Sequence, residues 1–201
     1  AYIAWMTNDI RLREELCTYL PALESYNRAS YIGIVLARTE SKVEQEYVLQ
    51  SLGDRSADIR DEAYKVLSEM SLSPEQYQHI EELLRFKYSE MRINAINLLM
   101  KQPEAQLAAS IRRLLSDKNA ERRLAGLDMM KSIRNVDFLK DSYQKLLSTV
   151  REIQKPNAKE KILIESLIGD GTEQSPTSNY TRENGFGLYD PALEVSLPPI
   201  T

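Results

Sequence analysis

The sequence predicts an all-α fold assembled from stacked helical hairpins, and three observations carry that reading. Leu, Ile, Ala, Glu, Lys and Arg dominate residues 1–168 at helical spacing, with almost no strand-like alternation of β-branched residues. Three segments, 58–67, 90–99 and 121–130, repeat one another, with Arg60, Arg92 and Arg123 at steps of 32 and 31. Gly169, Gly171, Gly185 and Gly187 with Pro176, Pro191, Pro198 and Pro199 all fall in the last 33 of 201 residues, so a boundary is expected near Gly169. A unit of this length cannot bury its hydrophobic face alone and must stack on its neighbours. The composition, 42% hydrophobic and 28% charged with a formal charge of −4, is that of a soluble chain and excludes collagen-like, coiled-coil-only and wholly disordered readings.

The first unit is the least regular. One period before Arg60 stands Arg28, followed by Tyr31, Ile34 and Val35, a degenerate copy in which Tyr takes a small-residue position. In the next unit Ile59, Ala63, Val66, Leu67 and Met70 sit at i, i+4, i+7, i+8 and i+11, one stripe on one helix face. The small residue three positions after each Arg (Ala63, Ala95, Gly126) lets a helix approach closely, and burial between successive second helices is expected there. A first helix precedes each of these, marked by Val48/Leu52, Ile80/Leu84 and Ile111/Leu115. Ser73 as N-cap, Pro74 at the first helical position and Gln76 at N3 start one such helix, and Pro103-Glu104 starts the next. Residues 137–150 and 158–168 complete a last pair, giving about five units.

An Asp several residues before an aliphatic-Arg pair, then a small residue, then paired aliphatics, resembles the HEAT repeat. Asp54 before Ile59-Arg60 and Asp117 before Arg122-Arg123 carry the likeness; the middle unit departs from it, with Phe86 at the Asp position and Met91 before Arg92. The period is shorter than the roughly 40 to 47 residues of long HEAT and armadillo units, so the chain is most similar to short HEAT-like repeats of bacterial proteins and bilin-lyase relatives. The likeness covers about residues 20–168, and neither the tetratricopeptide nor the ankyrin pattern is present. The resemblance implies a right-handed α-solenoid of about five HEAT-like hairpins over residues 1–169, with second helices lining a concave surface. It also implies a structural ladder in which Asp54 and Asp117 bond Arg60, Arg92 and Arg123 across neighbouring repeats; the competing reading is an anion-binding ladder.

Charge is unevenly spread: residues 40–82 hold 11 acids and 4 bases, residues 112–140 hold 8 bases and 4 acids. This bipolarity would steer a charged partner. Arg112, Arg113, Arg122, Lys131 and Arg134 form a candidate anion or partner patch, and HEAT-like DNA glycosylases make nucleic acid the alternative partner, with Arg123 added to the set. The net acidity weighs against it. His79 has Glu75, Glu81 and Glu82 nearby in sequence, yet no motif places a nucleophile, so it reads as a surface histidine. One Cys and one His do not build a zinc site, and the single Cys17 favours a reducing compartment. Gly169-Asp170-Gly171 follows a helix and reads as its C-cap, not a phosphate loop. Asn179-Tyr180-Thr181 matches a glycosylation acceptor, taken as chance because no secretory signal is visible. The longest apolar run, residues 32–37, is far short of the roughly 20 a membrane span needs.

Residues 170–201 read as a Gly/Pro-rich extended tail, either partly docked or leading to a further domain. Residues 172–184 are polar, whereas Phe186, Leu188, Tyr189, Leu193, Val195 and Leu197 restore apolar groups, and docking of 186–197 in extended form is expected. With Ala1 at the start, the chain reads as a piece of a larger protein. The functional expectation is a non-catalytic, cytoplasmic interaction module with no cofactor, no metal and no membrane contact, binding a protein partner or other domains of its own parent chain.

Overall fold

A computed structural model describes residues 9–37, 39–87 and 89–169. These residues form ten α-helices: α1 (Ile10–Tyr19), α2 (Ser25–Ile34), α3 (Lys42–Ser51), α4 (Ala57–Glu69), α5 (Pro74–Leu83), α6 (Ser89–Leu99), α7 (Glu104–Leu115), α8 (Ala120–Ile133), α9 (Lys140–Arg151) and α10 (Ala158–Ile168). Short 3-10 turns at Leu20–Ala22 and Asp137–Leu139 lead out of α1 and into α9. Among the described residues there is no strand, and no helix is long and apolar enough to cross a membrane. A division of the chain falls between Leu167 and Ile168. The expected docking of residues 186–197 lies outside the described residues, as does the rest of 170–201.

Capping explains why the helices begin where they do. Ser73 accepts from the Gln76 amide while the Gln76 side chain accepts from the Ser73 amide, a closed capping box with Pro74 at the first position. Asn119 caps α8 by accepting from the amides of Glu121 and Arg122. Before α10, Asn157 and Glu160 exchange the same pair of bonds, at 2.6 and 2.9 Å.

The apolar stripes read from the sequence are the faces that pack. Val48, Leu52, Ile80, Leu84, Ile111 and Leu115 on the first helices, and Ile59, Ala63, Val66 and Leu67 on α4, are all buried. The odd helices stack in order, α1 on α3, α3 on α5, α5 on α7 and α7 on α9, and the even helices stack likewise from α2 to α8. The two rows are joined within hairpins, α3 with α4, α5 with α6 and α7 with α8.

Ala63, Ala95 and Gly126 are buried, as their small size requires. The neighbour at Gly126 differs from the expectation. A Cβ there would stand 3.2 Å from Leu114 Cβ and 3.2 Å from Leu115 Cδ2, so this glycine admits α7, the first helix of its own hairpin, and not the next second helix. Gly126 thus sets how tightly α7 and α8 close.

Candidate functional site

Two of the three repeated arginines, Arg60 and Arg123, make equivalent bonds. Arg60 donates to the carbonyls of Asp54 (2.9 Å) and Arg55 (3.0 Å), and Arg123 donates to those of Asp117 (3.0 Å) and Lys118 (2.9 Å). Each guanidinium thereby satisfies the loop that closes its own hairpin and then reaches on to the next unit. Arg60 meets Glu90 at 3.4 Å, Arg123 meets Glu160 at 2.8 Å, and Arg92 meets Glu121 at 3.3 Å and Asp128 at 2.6 Å. Among the described residues Arg92 makes no such loop contact.

The aspartates differ from the simple ladder that HEAT resemblance implies. Asp54 accepts from the Ser56 amide and pairs with Arg28 of the preceding unit at 2.7 Å; Asp117 accepts from the Asn119 amide and pairs with Arg122 at 2.8 Å. Neither carboxylate meets Arg60, Arg92 or Arg123: Arg60 and Arg123 use loop carbonyls and one glutamate each, and Arg92 uses Glu121 and Asp128. Arg28 is therefore a working member of the series even though Tyr31 displaces its small residue.

The basic patch is broken up by pairing. Arg113 donates twice to Glu81, at 3.1 and 2.6 Å, and Arg122 contacts Glu82 at 3.2 Å besides Asp117. Arg134 donates to the Ser166 carbonyl at 3.0 Å. Arg112 and Lys131 are exposed, on α7 and α8 respectively. The five residues make no continuous cationic face.

Three buried glutamates escaped the sequence reading. Glu44, Glu81 and Glu160 are at most 1% exposed, and each is held by an arginine of another unit: Arg13, Arg113 and Arg123. Arg13 grips Glu44 with two bonds of 2.8 and 2.7 Å, and the Thr39 hydroxyl also donates to it. Burial would raise the Glu44 carboxyl pKa, but the Arg13 and Thr39 hydrogen bonds and the Arg13 charge outweigh it and hold the value below that of an ordinary carboxyl. The signal was present in the sequence as spacing. Arg13 and Glu44 are 31 residues apart and Glu81 and Arg113 are 32 apart, one repeat period in each case.

Cys17 is buried, and burial with the nearby Glu44 and Glu14 charges pushes its thiol up to about 11, protonated at neutral pH. His79 is half-buried on α5. Among the described residues no three His, Cys, Asp or Glu side chains converge as metal ligands would.

Two open grooves lie along the even helices. One, of about 540 Å³, runs between α2 and α4 and is lined by Tyr26, Ala29, Gly33, Ile34, Asp58, Asp61, Glu62 and Lys65 among others. The other, of about 440 Å³, runs along α6, α8 and α10 past Arg92, Leu124, Asp128, Lys159 and Ile162. The even helices also expose large apolar side chains, Tyr26 and Ile34 on α2, Ile93 on α6 and Ile162 on α10.

Among the described residues these features define an all-α fold whose successive helices are tied by side-chain bonds between them. The chain belongs to the family of unknown function DUF5724, whose model matches residues 1–201. No curated protein and no solved structure matches it.

Proposed function

We propose that this chain is a short right-handed α-solenoid of about five HEAT-like hairpins, serving as a non-catalytic scaffold that binds a protein partner or another part of its parent chain. The observation that carries the reading is the spacing of its inter-unit bonds. Arg13 to Glu44, Arg60 to Glu90, Arg92 to Glu121, Arg113 to Glu81 and Arg134 to Ser166 are separated by 31, 30, 29, 32 and 32 residues. Equivalent positions of successive units touching in this way is what a one-dimensional stack requires, and such stacks present long surfaces well suited to binding. Both rows expose large apolar side chains, Ile10, Tyr19 and Val43 on odd helices and Tyr26, Ile34, Ile93 and Ile162 on even ones, and the even row is taken as the binding face because the two larger grooves, of about 540 and 440 Å³, run along it.

A nucleic-acid role finds less support, because Arg113 and Arg122 are already engaged by carboxylates of the same chain. Duplex DNA should bind no more tightly than ordinary nonspecific association, about 10⁻⁴ to 10⁻⁶ M at physiological salt. The deciding experiment is affinity capture from cells of the source organism with the intact chain, with Ile93→Asp/Ile162→Asp, and with Val43→Asp on the odd row. A partner retained by the chain and by Val43→Asp but lost from the double variant is expected. Failure to retain any specific partner, or nanomolar DNA binding, contradicts the proposal.

A further inference from the structure

The groove between α2 and α4 has a chemistry that names its ligand more closely. Asp58, Asp61, Glu62 and Lys65 lie at i, i+3, i+4 and i+7, one face of α4, and turn toward α2. The floor on α2 is made of small residues, Ala29, Ser30 and Gly33, and large apolar groups flank it, Tyr26 at 78% exposure and Ile34 at 66%. Glu62 reaches across so closely that a Cβ on Gly33 would stand 2.5 Å from its Oε2, while its Oε1 accepts from Lys65 at 2.6 Å. With one lysine against three carboxylates, the lining carries a formal charge of −2.

From this lining we infer that the groove is a docking site for a cationic peptide segment of a protein partner, one whose lysines or arginines alternate with apolar side chains. This inference rests on the scaffold reading and specifies its partner. The carboxylates are spread along a helix face and do not converge as ligands on a metal ion, so they match charges distributed along a chain. Tyr26 and Ile34 match apolar side chains between those charges. The groove, of about 540 Å³, lies open along the surface between two helices, which leaves room for a few side chains of a segment crossing it.

The test is fluorescence anisotropy of a labelled twelve-residue peptide of alternating Lys or Arg and Leu on the intact chain. Comparison probes are the same peptide with Glu at every basic position and an oligolysine of equal length, and spermine is the competitor. Asp58→Asn/Asp61→Asn should weaken binding of the Lys/Leu peptide about tenfold. Glu15→Gln/Glu75→Gln, which removes the same charge from exposed sites on α1 and α5, should leave it unchanged. Tyr26→Ser should weaken the Lys/Leu peptide but not oligolysine. Equal loss in both double variants, equal affinity for the Glu peptide, or full competition by spermine at equal charge concentration overturns the inference. A partner captured by the intact chain and kept by Asp58→Asn/Asp61→Asn would refute the cationic groove while leaving the scaffold reading intact.

Discussion

Two glycines illustrate how residue-scale geometry decides the sign of a substitution. At Gly33 the atom in the way of a new Cβ is the far end of the Glu62 side chain, which can swing aside, and Ala is better than Gly in a helix interior by about 1 kcal/mol. At Gly126 a new Cβ would meet Leu114 Cβ, fixed to the α7 backbone, and Leu115, all at 3.2 Å, so α7 must give by a few tenths of an ångström, and overpacking of about 1–3 kcal/mol outweighs the gain of Ala in a helix. Gly33→Ala should therefore melt at or above the parent temperature and Gly126→Ala below it, as followed by circular dichroism. The Arg13–Glu44 pair gives a pH-dependent prediction. Because the folded pKa of Glu44 is lowered, the pair stabilises the fold fully above the ordinary carboxyl value of 4.5 and loses that contribution as pH falls through the lower folded value. Glu44→Gln should cost about 3 kcal/mol in urea unfolding at neutral pH, since it deprives the part-buried Arg13 of its charged partner, and the difference from the parent should shrink as the pH is lowered below 4.5.

Elements were legible in the sequence where periodicity and caps agreed. Ser73-Pro74 with Gln76 marked the start of α5 because the box needs only local residues, and the stripes of α3 to α8 followed because each faces one core. Glu44, Glu81 and Glu160 were not legible, since a glutamate within an amphipathic helix looks solvated until a partner one period away is brought beside it. The basic patch misled for the same reason: counting charges along the chain does not reveal which are already paired. Gly126 marked a close approach but not its neighbour, because the helix in its own hairpin and the helix in the next unit both need room. Ala95 tests the repeat register at this scale. It is 2% exposed on α6, which packs on α4, α5 and α8, so Ala95→Asp should bury an unpaired carboxylate and cost several kcal/mol. A variant that melts like the parent would place the register elsewhere.

At the scale of the whole molecule, the proposed solenoid makes residues 10–167 a row of interchangeable steps, each in contact only with its neighbours. A stack of that kind tolerates removal of one whole step, whereas a fold with a single shared core does not. Deleting residues 61–92, one full period, joins Arg60 to Ile93 and keeps an Arg at the series position. It also lays Ile111 and Leu115 of α7 over Val48 of α3 and Leu52 at its end, and it removes Glu81 with α5, leaving Arg113 without that partner. Thermal unfolding of this deletion variant by circular dichroism is the most direct measurement of the central claim. Retained helical signal with a cooperative transition at a lower temperature is the predicted result; a chain that has lost its helical signal, or melts without a transition, would contradict the repeat architecture and the binding surface built on it.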